Sequence, residues 1–162
     1  MAASLEIDGE ASKPYVKKTN ITSGSMTSLN AWEQVGRFKD EFFIDHVDHE
    51  FCLRLTKNNF LIYQLPNVYM QHAFGYPITR KLFGKRYVTA GYSADRLYYY
   101  YRNRLYLAQY RNESYYSVSL FLYRKARRIL LVEDQRFQKM AAMLTGIAHY
   151  LQNKTGPRNQ EK

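Results

Sequence analysis

The chain has 162 residues, 46% hydrophobic and 23% charged, with 16 Tyr, 9 Phe, one Trp and one Cys. That is the size of one domain with enough apolar mass for a core, and a single cysteine excludes an internal disulfide and fits a reducing compartment. The net charge of +10 is uneven: residues 1–79 carry 7 Lys and Arg against 9 Asp and Glu, and residues 80–162 carry 17 against 5. So basic a second half calls for an anionic partner or surface: anionic lipid, phosphorylated substrate or nucleic acid.

No window reaches the roughly 18 apolar residues of a membrane span. The start, MAASLEIDGEASKP, lacks a basic segment followed by an apolar run, so no signal peptide is expected. These features predict a soluble or peripheral protein. Residues 1–19 are polar and mixed in charge, which predicts a mobile lead-in ending in a short strand at Tyr15 and Val16. Ile21 to Ser28 is a turn rich in Ser, Thr and Gly. Leu29 to Val35 is a short helix, with Ser28 as N-cap and Gly36 just past its end. Trp32 on that helix reads either as core or as an aromatic binding platform.

The stretch FFIDHVDHEFCLR, Phe42 to Arg54, is the densest in the chain. Phe42, Phe43 and Ile44 suit a buried strand end. Val47, Phe51 and Leu55 then follow at helical spacing, with Asp45 as the expected N-cap. Glu50 and Arg54 are placed to pair across one turn. Asp48 has only Ile44, Cys52 and Leu55 as helical neighbours, which leaves two readings. It is a first-turn carboxylate that steadies the helix, or a general base at the mouth of a pocket. His46 and His49 read as solvated.

Lys57-Asn58-Asn59 closes this helix. Strands are expected over Phe60 to Leu65 and Val68 to Phe74, with a turn at Pro66-Asn67. Pro77 to Gly91, with Lys81, Lys85 and Arg86, reads as a mobile loop. Three helices follow: Ala94 to Asn112 capped by Ser93, Tyr115 to Val132, and Gln135 to Leu151, ended by Gly156-Pro157. The cluster Arg124-Lys125-Arg127-Arg128 lies beside Leu120, Phe121, Leu130 and Leu131. A basic face interleaved with aromatics suits a solvated helix, single-stranded nucleic acid or the interface of an anionic membrane. With no recognition-helix or RNA-binding signature, no specific nucleic acid is expected and lipid is preferred.

Several phrases in one order resemble the C-terminal half of a family-2 glycosyltransferase, in particular the bacterial rhamnosyltransferases. They are Gly24-Ser25, Trp32, Gly36-Arg37-Phe38, Asp40-Glu41-Phe42-Phe43, Asp48, Cys52-Leu53-Arg54, His72-Ala73-Phe74-Gly75 and Tyr101-Arg102-Asn103-Arg104. The resemblance runs from about Ile21 to Lys154. Where the family has a Glu-Asp pair, this chain has Val47-Asp48, which keeps only the acid that serves as base.

The resemblance implies an α/β chain: residues 20–92 as the acceptor-side portion of a GT-A fold, 93–156 as a basic α-helical extension, and 157–162 as a tail. It implies inverting transfer of a sugar, with dTDP-rhamnose as donor and a lipid-linked saccharide as acceptor, in cell-wall or surface polysaccharide synthesis. Asp48 would be the catalytic base. Gly24, Ser25, Trp32, Arg102 and Arg104 would bind substrate, and His72 would help hold a divalent metal, Mg or Mn. The expected location is cytoplasmic, peripheral at the inner face of the membrane. No Asp-x-Asp follows a strand, and the family's N-terminal nucleotide-binding half has no counterpart in the sequence. The expectation is therefore a truncated or split enzyme that is inactive by itself and needs a complementary N-terminal half. The competing expectation is a catalytically inactive basic module that docks to anionic lipid or nucleic acid.

Overall fold

The computed structural model describes residues 5–7, 13–70, 77–82 and 84–158, and the backbone is mixed α/β. By its internal contacts the chain divides into two units: Met1–Lys39 with Val47–Ala73, and Asp40–His46 with Phe74–Lys162.

The first unit holds strands β1 (Leu5–Ile7) and β2 (Tyr15–Lys17), helices α1 (Leu29–Val35) and α2 (Val47–Lys57), and strands β3 (Ile62–Gln64) and β4 (Val68–Met70). Two antiparallel pairs form, β1 with β4 and β2 with β3. Residues 5–7, expected within a mobile lead-in, therefore supply a strand, and Tyr15–Lys17 forms the short strand expected there. Helix α1 has the bounds its pattern predicts. Ser28 is extended before it but makes no side-chain cap, and Gly36 leaves it at φ 82°. Ala31, Phe51 and Leu55 form a small core with Trp32, Val35, Phe60 and Ile62 packed against it. This is the apolar ladder of α2 meeting one face of α1. Asn59 closes α2 at φ 62°, as expected of an Asn there.

The second unit begins with a 3-10 turn, Asp40–Phe42, and continues with the hairpin strands β5 (Ile78–Leu82) and β6 (Lys85–Thr89). Helices α3 (Ala94–Tyr110), α4 (Tyr115–Val132) and α5 (Arg136–Leu151) complete it. The mobile loop expected over Pro77 to Gly91 is thus largely a hairpin. Leu82 pairs with Lys85 across a two-residue connection that includes Gly84 at φ 70°, the backbone region two-residue hairpin loops require.

Ser93 and Ser114 cap α3 and α4, accepting hydrogen bonds from the backbone N–H groups of Arg96 and Ser117. The core is Leu97, Tyr101, Ile129 and Met143, with Phe121, Leu122, Met140 and Ile147 around it. Gly146 lets α5 approach α3 closely: a Cβ there would lie 2.6 Å from the Tyr98 carbonyl oxygen. Among the described residues no helix is long and apolar enough to cross a membrane.

Candidate functional site

The segment expected to end a buried strand is something else. Phe42 is buried in the 3-10 turn, whereas Phe43 and Ile44 are exposed. Phe43, Asp45 and His46 all take positive φ, 58°, 62° and 64°. Non-glycine residues adopt that region at a cost, and only when their surroundings over-determine it. The surroundings here are α3. Asn103 Nδ2 donates to the carbonyls of Phe42 (2.6 Å), Ile44 (2.7 Å) and Asp45 (3.1 Å). The Asp45 carboxylate, expected to cap α2, instead accepts from both Arg96 Nε and Arg96 Nη2, at 3.1 and 3.0 Å. That pairing raises the Arg96 pKa.

Arg102, expected to bind substrate, is fully buried. Its guanidinium donates to the carbonyls of Glu41 and Gly156, to Tyr98 Oη and to Asn103 Oδ1. The rings of Tyr98 and Tyr99 lie 5.4 and 5.3 Å from it. A buried cation held by carbonyl dipoles and ring faces is compensated without a carboxylate, and this one ties the 40–46 segment and the chain after α5 to α3. Arg104 is also engaged, paired with Glu113 at 2.6 Å and lying over the Phe121 ring. Within Tyr101-Arg102-Asn103-Arg104, the middle pair thus works as a clamp on the backbone, while Tyr101 packs in the core. The exposed polar character of such a phrase in sequence gives no sign of this.

In the first unit the Gly24-Ser25 turn is built tightly. Ser25 N–H donates to the Thr22 carbonyl at 3.0 Å, and Ser25 Oγ bonds the Ile21 carbonyl. Gly24 has φ 71°, with the Met70 side chain 3.5 Å from where its Cβ would lie. Just before this turn, the Asn20 backbone N–H lies 3.4 Å from Cys52 Sγ on α2. Burial is the main cause that raises the Cys52 thiol pKa.

Thr22, Ser25, Thr27, Leu29, Trp32 and Phe38 line an open cleft of about 330 Å³. Two of the expected substrate-binding residues, Ser25 and Trp32, therefore share one cavity, and Gly24 is not among the residues that line it. The Trp32 indole is half-buried, with the Arg37 guanidinium 5.1 Å from its centroid. Arg54 fixes the far side of α1 by donating to the carbonyls of Val35, Gly36 and Arg37 while forming a two-pronged pair with Glu50. Glu50 is 2% exposed, so the pair expected from spacing is an internal strut.

Asp48 sits in the first turn of α2 with its side chain 21% exposed. Its Oδ1 accepts the His49 backbone N–H and lies 2.8 Å from His49 Nδ1. His49, set aside by the sequence pattern, is thus the neighbour that orients one carboxylate oxygen. Asp48 is not among the residues lining the Trp32 cleft. His72, the expected metal ligand, lies outside the described residues. Among the described residues, no three His, Cys, Asp or Glu side chains come together to hold a metal ion. They do not by themselves fit a divalent-ion site.

One similarity to a curated protein stands out. A stretch of 66 residues is 39% identical to dTDP-rhamnosyl transferase RfbF of Shigella flexneri, covering 41% of this chain and 22% of that protein. The likeness points to a glycosyltransferase relationship for part of the chain, and the chain matches well under two thirds of that relative's length. No family model matches the chain, and no solved structure does.

Proposed function

We propose that the chain is the acceptor-side portion of a GT-A glycosyltransferase that transfers a sugar, rhamnose by analogy with its relative, from a nucleotide donor to a saccharide hydroxyl. The observation that carries this reading is the 66-residue likeness to a dTDP-rhamnosyl transferase. The Ser25–Trp32 cleft supports it, because an aromatic face beside hydroxyl side chains suits the alternating apolar and polar surface of a sugar.

In this reading Asp48, oriented by His49, takes the proton of the acceptor hydroxyl. The acceptor oxygen forms a bond to the anomeric carbon as the bond from that carbon to the nucleotide diphosphate breaks, and configuration inverts. The donor's nucleotide is held by a further N-terminal half, and no step is assigned to a metal. This reading assigns Arg102 to holding the fold, since its guanidinium donates to the Glu41 and Gly156 carbonyls.

Two measurements test the proposal. Trp32 is the sole tryptophan, so its emission reports the cleft directly. Titration with a rhamnose-terminated oligosaccharide is expected to change that emission saturably. In the enzyme completed with its nucleotide-binding half, Asp48→Asn is expected to lower turnover by about 10²–10⁴-fold, the usual worth of a positioned base, with donor affinity unchanged. Near-normal turnover in the folded variant refutes the role of Asp48.

A further inference from the structure

The second unit contains its own cleft, of about 310 Å³, lined by residues of β6, α3 and α4. Three features set it apart from a packing defect. First, it holds two cations, Lys125 and Arg128, and no ion pair among the described residues involves either. Lys125 is held instead over aromatic rings, 5.5 Å from the Tyr100 centroid and 5.6 Å from that of Phe121. Second, the one carboxylate on its wall, Glu133, already accepts from Lys139 at 2.7 Å, so the positive charge is not balanced from within. Third, Thr89 is 4% exposed, and its hydroxyl has no hydrogen-bond partner among the described residues. A buried hydroxyl without a partner is costly to the fold and marks a place where a ligand is expected to supply one.

The rest of the lining is largely apolar and aromatic, including Tyr92, Tyr100 and Ile129. Burial, and after it the neighbouring charge of Arg128, holds the Lys125 ammonium below its usual pKa. An anion seated between the two would reverse that penalty. Two cationic groups match the charge of a phosphoryl dianion better than the single charge of a carboxylate, and its three oxygens offer each donor group an acceptor of its own.

We propose that this cleft binds a phosphoryl anion carried on an apolar group, with Lys125 and Arg128 supplying the charge, Thr89 a hydrogen bond, and the tyrosines the packing surface. The site is independent of the transfer reading, since none of its residues belongs to the Asp48 or Trp32 constellations. The phosphoryl group comes either from a soluble organic phosphate or from a lipid headgroup.

The full chain is titrated with phenyl phosphate, and in parallel with vesicles of phosphatidylcholine alone or with added phosphatidic acid. Saturable binding of at least one phosphate probe is expected, and neither probe binding saturably overturns the proposal. Binding confined to phenyl phosphate assigns the soluble source. Binding confined to phosphatidic acid vesicles assigns the headgroup. Lys125→Met with Arg128→Met is expected to weaken binding at least about tenfold, and the near-isosteric Thr89→Val about tenfold, as for a lost hydrogen bond to a charged group. Arg124→Gln with Arg127→Gln, on the exposed face of α4, is expected to change it little. Equal losses in the two double variants mean a diffuse basic surface and refute a built site. If the Lys125/Arg128 variant does not fold, Thr89→Val decides: unchanged affinity refutes the site.

Discussion

Asn103 offers the sharpest test of how the 40–46 segment is held. Its amide nitrogen serves three carbonyls, and its Oδ1 accepts from the buried Arg102 Nε. Asn103→Ala leaves the Arg102 Nε–H buried without that acceptor, and leaves the Phe42 carbonyl with only the Ile44 backbone N–H, at 2.7 Å. The carbonyls of Ile44 and Asp45, nearer solvent, are partly rehydrated. The stranded cationic N–H costs about 1–3 kcal/mol or more, and each of the three carbonyl bonds lost about 0.5–1.5 kcal/mol, so the sum is about 3–5 kcal/mol. The three left-handed residues, each disfavoured by about 1–3 kcal/mol, then lose what holds them. Against a typical stability of about 5–15 kcal/mol, that is a large fraction. Urea denaturation followed by near-ultraviolet circular dichroism of the tyrosines measures the loss. In thermal melts it corresponds to a fall of about 6–20 °C for a chain of this size. Asn103→Asp sharpens the test. It keeps an acceptor for Arg102 but turns carboxylate oxygen toward carbonyl oxygen, so it is expected to destabilise despite gaining an ion pair. A loss below about 1 kcal/mol in Asn103→Ala refutes the clamp.

Gly146→Ala places a methyl group 2.6 Å from one α3 backbone atom and 3.3 Å from another. Neither neighbour is a side-chain end that can swing away, so the overpacking cost of about 1–3 kcal/mol outweighs the helix-propensity gain of about 1 kcal/mol from Ala. A lower melting temperature is expected, and a higher one contradicts the close contact. His149, bonded to Tyr98 Oη at 2.8 Å, has its pKa lowered by burial first, then by the charges of Lys154, Arg158 and Arg102. The unfolded chain therefore takes up this proton at higher pH than the folded one, so stability is full above about pH 6.5 and declines as pH falls through the folded value. His149→Gln is expected to flatten that part of the stability–pH curve, and a curve of unchanged slope rules out the linkage.

What the sequence discloses and what it hides divide along physical lines. Helices α1 and α4 show their bounds because periodicity and neighbouring turn residues are local signals. The hairpin over 78–89 is hidden: its strands, ITRKL and KRYVT, carry four Lys and Arg, and its exposed face gives no clean alternation. The 43–46 turn is hidden for the opposite reason. Phe43 and Ile44 look like core, but the conformation is dictated by Asn103, 61 residues beyond Phe42, and no local pattern carries that information. At the candidate site, Ser25 and Trp32 fall in one cleft as their residue types suggest. Arg102 shows the reverse: an arginine in a polar phrase invites a ligand-binding reading, and only the fold shows it turned inward.

The 40–46 segment also has a consequence for the chain's synthesis. The side-chain donor shared by its Phe42, Ile44 and Asp45 carbonyls exists only when Asn103 has been made, 61 residues after Phe42. At about 5–20 residues per second, that is a wait of roughly 3–12 s. During this interval α2 and the strands after it are complete, while the short segment preceding them has no partner. A nascent chain therefore carries a gap of seven residues, Asp40–His46, whose final shape depends on a helix not yet synthesised. Pausing downstream of α2 lengthens the exposure of Phe42 to solvent and to other chains, so codon choice between α2 and α3 becomes a variable in the yield of folded protein.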